Sequence, residues 1–308
     1  MVVSVSRRCD IPRFAFDWFL ERLEEGFVEV KNPFNSRQIK RVSLLPPGPG
    51  RPPREQAECA EALAFWTRDP SFILAHAEDL KQRKYGFFVM TTLNSYPAIL
   101  EPNVPAAEAV IQTMKKLAQK ISPDRVLWRY DPVFLSDQTD FEFHRANFAF
   151  LATRLKAAVK RVIVSVYDEY PRAEKRLAAL ESSGALKRPA HSSPDLRSEG
   201  RGPEGRSLEG RRSESCGPEV RGLLAELAAI ARGEGMEIQS CAEEDFSDCG
   251  IPSGACIDGE YLAKEFAIEN PGKDRGQKRP YCLCAQSVDI GSYGRCPAGC
   301  VYCYASTG

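Results

Sequence analysis

Three cysteines fall within eight residues, Cys296, Cys300 and Cys303, in the run RCPAGCVYCYA. Their C-x3-C-x2-C spacing offers three thiolates to one polynuclear centre and leaves one corner of it without a protein ligand. A structural zinc site with four protein ligands has no such open corner. An open corner implies chemistry on an exogenous ligand. With 11 cysteines in 308 residues, random placement gives this triplet on the order of one time in a hundred. The competing reading is a zinc site completed by a fourth residue.

Four more cysteines, Cys241, Cys256 and the Cys282-x-Cys284 pair, invite a second site. They converge if the final strand and the C-terminal loops meet at one place, giving a four-thiolate site for zinc or an auxiliary cluster. Cys249 is an alternative member, and unligated core cysteines are the bland reading. Eight of the 11 cysteines lie from Cys241 onward. Cys9, Cys59 and Cys216 are scattered and read as structural. No apolar run approaches the roughly 20 residues that span a bilayer, and the start MVVSVSRRCDIP lacks a signal peptide's apolar region. The expected location is cytoplasmic, where a dense thiol group is metal-bound rather than disulfide-bonded.

The elements that must position these groups recur as β-rich runs followed by amphipathic stretches. The runs are 2–6, 62–67, 86–93, 125–130, 161–167 and 236–241; the stretches include 14–25, 106–121, 141–160 and 218–233. Six β-α units in series predict an α/β fold, a partial TIM-like (β/α)6 barrel over 1–245 with a cysteine-rich metal-cluster segment, 246–308, at its mouth. Spacing alone does not separate this from an open doubly wound sheet. The strand ends favour the barrel, because nearly every one carries polar groups where a barrel builds its active site. The candidate cofactor- or substrate-binding residues are Arg7, Arg8, Asp10, Asn32, Trp66, Arg68, Asn94, Arg129, Tyr130, Asp131, Asp168 and Glu243. Guanidinium forks favour carboxylate or phosphate, so a small anionic or nucleotide-like substrate is expected. Internal salt bridges and helix caps are the competing reading for the same residues.

Residues 28–45 read as two short strands around an Asn-Pro loop, a hairpin flap over the barrel mouth. PPGPGRPPRE (46–55) is an extended linker. The charged Gly/Ser/Pro-rich stretch 187–216 cannot offset its ordering entropy and is expected to be a disordered insertion. Forty-two basic and 42 acidic residues cancel, which argues against long nucleic acid as a partner. The histidines share no spacing, and His144, on a helical stretch, is read as satisfied locally.

The segments SVSRRCDIPRF, KNPFN, FWTRDP, TTLNSYPAILEP, WRYDPV, ACIDG, YCLCAQSVDIGSYGRC and GCVYCYA resemble the microbial family called domain of unknown function 1848. That family is noted for a C-terminal cysteine cluster similar to the one radical S-adenosylmethionine enzymes carry early in their chains. The resemblance implies a [4Fe-4S] cluster on Cys296, Cys300 and Cys303, with S-adenosylmethionine on its fourth iron and an electron donor as partner. The family usually has threonine where this chain has Cys9, so Cys9 is not expected to be a ligand. The Gly-Gly-Glu stretch that holds the cofactor's amino group in many radical enzymes has no equivalent here. Spore photoproduct lyase has a similar cysteine run, which keeps nucleotide chemistry among the substrate classes. Two rivals stand beside this reading: a non-catalytic zinc- or anion-binding barrel, and a hydrolase using Asp131 and Asp168 with a structural cluster.

Overall fold

Apolar runs bounded by polar turns become parallel strands in the computed structural model, which describes residues 1–32, 35, 37–48, 58–189, 217–268, 272–273, 281–294 and 296–306. In chain order the strands are β1 (Val2–Val5), β2 (Phe27–Lys31), β3 (Ile39–Ser43), β4 (Ala62–Thr67), β5 (Gly86–Thr92), β6 (Val126–Val133), β7 (Arg161–Val166), β8 (Glu237–Cys241), β9 (Ser253–Gly254) and β10 (Ser287–Asp289). The helices are α1 (Ile11–Phe14), α2 (Phe16–Glu25), α3 (Ser71–Gln82), α4 (Ala107–Ile121), α5 (Phe141–Leu155), α6 (Pro171–Ser182), α7 (Pro218–Gly233) and α8 (Gly259–Phe266). All strands but β2 and β3 form one parallel sheet in the order β10-β1-β4-β5-β6-β7-β8-β9, curled into a half-barrel. The six strands expected from the sequence are its middle, and β9 and β10 extend it to eight.

Strand alternation divides the apolar residues between the two faces of the curl. On the convex face Val3, Phe65, Phe87, Val89, Trp128, Tyr130 and Val164 pack against the helices in one large core. Helix α4 supplies Val110, Ile111, Met114, Leu117, Ala118 and Ile121 to it, the three-and-four spacing of one helix face. Burying each large side chain contributes about 1.5–3 kcal/mol. On the concave face Ala62, Ala64, Phe88, Met90, Leu127 and Ile163 meet Tyr261 and Leu262 of α8, which plugs the lower end of the curl. The plug explains Gly86, where a Cβ would stand 2.7 Å from the Phe266 ring. Asp258 caps α8 through the Glu260 and Tyr261 amides and pairs with Arg161 at 2.9 Å.

The expected hairpin forms, with β2 and β3 antiparallel, but its base does not cover the strand ends. Tyr85, just before β5, donates to Leu44 O at 2.5 Å, and Ala60, just before β4, donates to Leu45 O. Val28, Val42 and Leu44 join the convex core, so the base packs at the N-terminal ends of the strands, opposite the expected mouth. Most of the 46–55 linker, and the expected disordered insertion from residue 190 on, lie outside the described residues. Lys187 and Arg188 are ordered, the latter by ion pairs of 2.9 Å to Glu174 and Glu181. No described helix is long and apolar enough to cross a membrane.

Candidate functional site

After β10 the chain runs back across the C-terminal ends of the strands. Gly291 makes the tightest approach: a Cβ there would stand 2.5 Å from Ser6 Cβ and 2.9 Å from Cys9 Sγ, so only glycine permits it. Further on, Val301 N donates to Leu100 O and Asn103 Nδ2 to Pro297 O, both at 3.0 Å. Arg176 of α6 donates to the carbonyls of Val301, Ser306 and Cys303. Tyr302 is buried against Phe134 and Tyr96, its ring 5.8 Å from each. Its hydroxyl donates to Glu101 and accepts from Arg68 at 2.7 Å, while Arg68 pairs with Glu101 at 2.6 Å.

These ties gather Cys296, Cys300 and Cys303 into one electrostatically coupled group. The Ala305 N–H points at Cys303 Sγ, 3.3 Å away, and the backbone of Asp10 and Ala298 pulls the Cys296 thiol down against the effect of burial. Burial pushes the Cys300 thiol up to about 12 against the opposing pull of Arg68, and burial raises Cys296 too. One buried and two half-buried thiols beside the Arg68 cation are of the type that a metal centre would deprotonate on binding. Three thiols are the donor type an iron–sulfur cluster takes, and among the described residues no group of three or more such side chains forms a ready metal cage. Asp10 braces this corner as the cap of α1, accepting from Thr67 Oγ1 at 2.7 Å and Arg68 N at 2.8 Å, and burial pushes its carboxyl up to about 6.

Beside this corner Arg7 and Arg129 flank the Trp66 ring, a cationic cluster and candidate pocket. The Trp66 ring has Arg129 4.7 Å away and Arg7 5.9 Å away. Asp289 fastens the pocket floor, accepting from Ser4 (2.9 Å), Ser6 (2.6 Å) and Arg7 N (2.7 Å), with Arg8 at 3.8 Å. Arg129 pairs with Asp131, which also accepts from Ser165. Tyr304 donates to Arg7 O at 2.9 Å. Two buried donors, Trp66 Nε1 and Arg129 Nε, have no hydrogen-bond partner among the described residues. Buried unpaired donors are costly, and these two belong to stacked neighbours.

Deeper in the curl, Cys241, Cys256, Cys282 and Cys284 pack in one cluster, and the sulfurs of Cys241 and Cys256 are 2.9 Å apart. Cys249 lies elsewhere, in the convex core.

The sequence model described as domain of unknown function (DUF1848) matches residues 2–305, a span that takes in the pocket and both thiol groups. The chain belongs to this family. No curated protein and no solved structure matches it.

In this DUF1848 chain the candidate residues divide between pocket and scaffold. Arg7, Arg8, Trp66, Arg129 and Asp131 meet around the pocket, and Arg68 stands by the three-thiol corner. Tyr130 does not: alternation along β6 sends Arg129 and Asp131 one way and Trp128 and Tyr130 the other, into the convex core, where Tyr130 bonds His144 at 2.8 Å. Asn94 is a buried strut between Asp131 and Tyr302. Glu243 accepts from Val166 N, and Asp168 from the Tyr170 hydroxyl. Asn32 bonds to Gln38 across the hairpin turn. Sequence reading passed over Glu101, Ser165, Arg176 and Asp289. Glu101 and Asp289 stand inside the family-like segments TTLNSYPAILEP and YCLCAQSVDIGSYGRC, which was the available signal.

Proposed function

We propose that this chain is an iron–sulfur redox enzyme of the radical S-adenosylmethionine type, acting on a small anionic substrate at the C-terminal ends of a TIM-like partial barrel. In this reading Cys296, Cys300 and Cys303 hold a [4Fe-4S] cluster. The observation that carries it is that Cys296, Cys300 and Cys303 share one corner, with an N–H on the Cys303 sulfur, beside Trp66 and Arg129, whose buried Nε1 and Nε donors lack an acceptor among the described residues. When bound, the cluster would supply one-electron reductive cleavage of the cofactor's S–C bond.

The chain's own residues bind and orient. Arg7 and Arg129 present guanidinium groups to a carboxylate or phosphate, and Trp66 offers a flat apolar face between them. Arg68, paired with Glu101, offsets the negative charge that the thiolates bring into a buried corner. Tyr302, Phe134 and Tyr96 wall that corner with aromatic rings and exclude water from it.

The test is anaerobic reconstitution with iron and sulfide, then EPR of the reduced protein with and without S-adenosylmethionine. A [4Fe-4S] signal that shifts on cofactor addition and vanishes in Cys296→Ala/Cys300→Ala/Cys303→Ala supports the reading. A signal indifferent to the cofactor removes the radical mechanism, and no cluster at all returns the protein to the metal- and anion-binding class. Because Cys9 is an electrostatic neighbour of Cys296, Cys9→Thr belongs in the series. Its cluster should be unaltered if the fourth iron has no protein ligand.

A further inference from the structure

We propose that Cys241, Cys256, Cys282 and Cys284 bind a single divalent thiophilic ion, zinc by their all-thiolate set, which clasps together the two open edges of the curled sheet. The proposal stands independently of the iron–sulfur reading, since it uses none of the same ligands.

The four thiols come from three separate places. Cys241 ends β8, Cys256 follows β9 by two residues, and Cys282 and Cys284 lead into β10. The sheet order runs from β10 to β9 without pairing those two strands. The thiols sit at this gap, beside a backbone bond of 2.8 Å from Ala285 N to Ile257 O. Cys256 and Cys284 are buried among Ala255, Ile257 and Ala285 on the concave face, surroundings that reward apolar side chains rather than a knot of four thiols.

Spacing decides how many metal atoms such a group can hold. Four sulfurs about 2.3 Å from one tetrahedral ion stand about 3.8 Å from each other. In a cubane each thiolate takes a different iron, and the sulfurs stand roughly 6 Å apart. Cys284 packs in one cluster with Cys241, Cys256 and Cys282, and the Cys241 and Cys256 sulfurs stand well inside the cubane spacing, which matches the single ion. The Cys241 and Cys256 sulfurs, 2.9 Å apart, are closer than that tetrahedron needs, and no group of three or more such side chains forms a ready cage among the described residues. Parting the sulfurs by about an ångström opens the cage. All-thiolate ligands select zinc over harder cations. Such an ion with four thiolates carries two net negative charges, and the Arg129 guanidinium is electrostatically coupled to Cys241 and Cys256.

The experiment measures zinc, iron and acid-labile sulfide in the purified full chain, in Cys296→Ser/Cys300→Ser/Cys303→Ser, and in single Cys241→Ser, Cys284→Ser and Cys249→Ser variants. One equivalent of zinc is expected in the wild type, the triple variant and Cys249→Ser, with affinity reduced at least about tenfold in the other two. Cobalt exchanged into the triple variant should give the strong visible bands of a tetrahedral thiolate site. Should Cys241→Ser and Cys284→Ser fail to fold, the wild type is stripped with a chelator under reducing conditions and titrated with zinc alone. Uptake of one equivalent, with a rise in unfolding temperature and protection of the four thiols from alkylation, then carries the proposal. No zinc retained or retaken would overturn it, as would iron with sulfide that persists in the triple variant.

Discussion

At the strand ends, Cys296, Cys300 and Cys303 sit among charges and rings: Arg68, Glu101, Tyr302 and backbone N–H donors. Deeper on the concave face, Cys241, Cys256, Cys282 and Cys284 share one cluster, packed among alanine and isoleucine, with the Cys241 and Cys256 sulfurs in contact. The first arrangement spends its neighbours on solvating negative sulfur, and the second supplies almost none beyond Arg129. Under the proposed function, thiols that face an exogenous ligand need polar company that does not itself bind metal. Thiols that only hold chain together need each other.

Breaking the polar support should hurt the first group and spare the second. The largest single effect is expected from Arg68→Gln or Glu101→Gln, because removing one partner of a buried pair strands the other charge, at about 3–5 kcal/mol. Chemical denaturation measures this, and metal analysis should find iron uptake lost while the deeper thiols are unaffected. Replacing both partners, in Arg68→Met/Glu101→Leu, should recover much of the stability but not the iron.

Acid sharpens the contrast from below. His144 is buried, with Tyr130 and Phe134 O on its two nitrogens and Tyr96, Phe143 and the Asp140 carboxylate around it. Burial lowers it from 6.5 to about 4. A histidine with a depressed folded value contributes stability that is full above pH 6.5 and is lost as the pH falls toward 4, about 3 kcal/mol in all. Because Phe134 and Tyr96 also wall Tyr302, the three-thiol corner should loosen first. Stability measured between pH 7 and 4 should fall steeply in the wild type and more gently in His144→Gln.

Two smaller effects test how the tail is held. Gly291→Ala forces a Cβ against Ser6 and Cys9 and should cost about 1–3 kcal/mol by overpacking, with the tail lifted from β1. Arg176→Gln removes charged donors to three tail carbonyls, about 1.5 kcal/mol. Limited proteolysis should then cut near Val301 sooner, with no change in metal held by Cys284. Cleavage at both thiol groups together would merge the two regions into one.

The six central strands and the helices between them were legible because each is long enough to show its period. β9 and β10 are two and three residues long, too short to carry any alternation, and their pairing depends on residues far away in sequence. Tyr130 was misread for a different reason. It shares a strand end with Arg129 and Asp131, and position along the strand was weighed without the alternation that turns it to the other face. Asp289 and Glu101 stayed invisible because a lone acidic residue acquires meaning only from partners such as Ser4 and Arg68, which lie 285 and 33 positions away. The hairpin itself could be read from its turn, yet nothing local said which end of the sheet it would cover.

Val2 pairs with Ser287 and Ser4 with Asp289. During synthesis the first strand therefore waits with one edge bare while some 280 residues are added, a delay of about half a minute or less in fast-growing cells. The Asp289 anchor and both thiol groups are assembled only after β10 docks, so any ligand they take must meet a nearly folded sheet rather than its first strands.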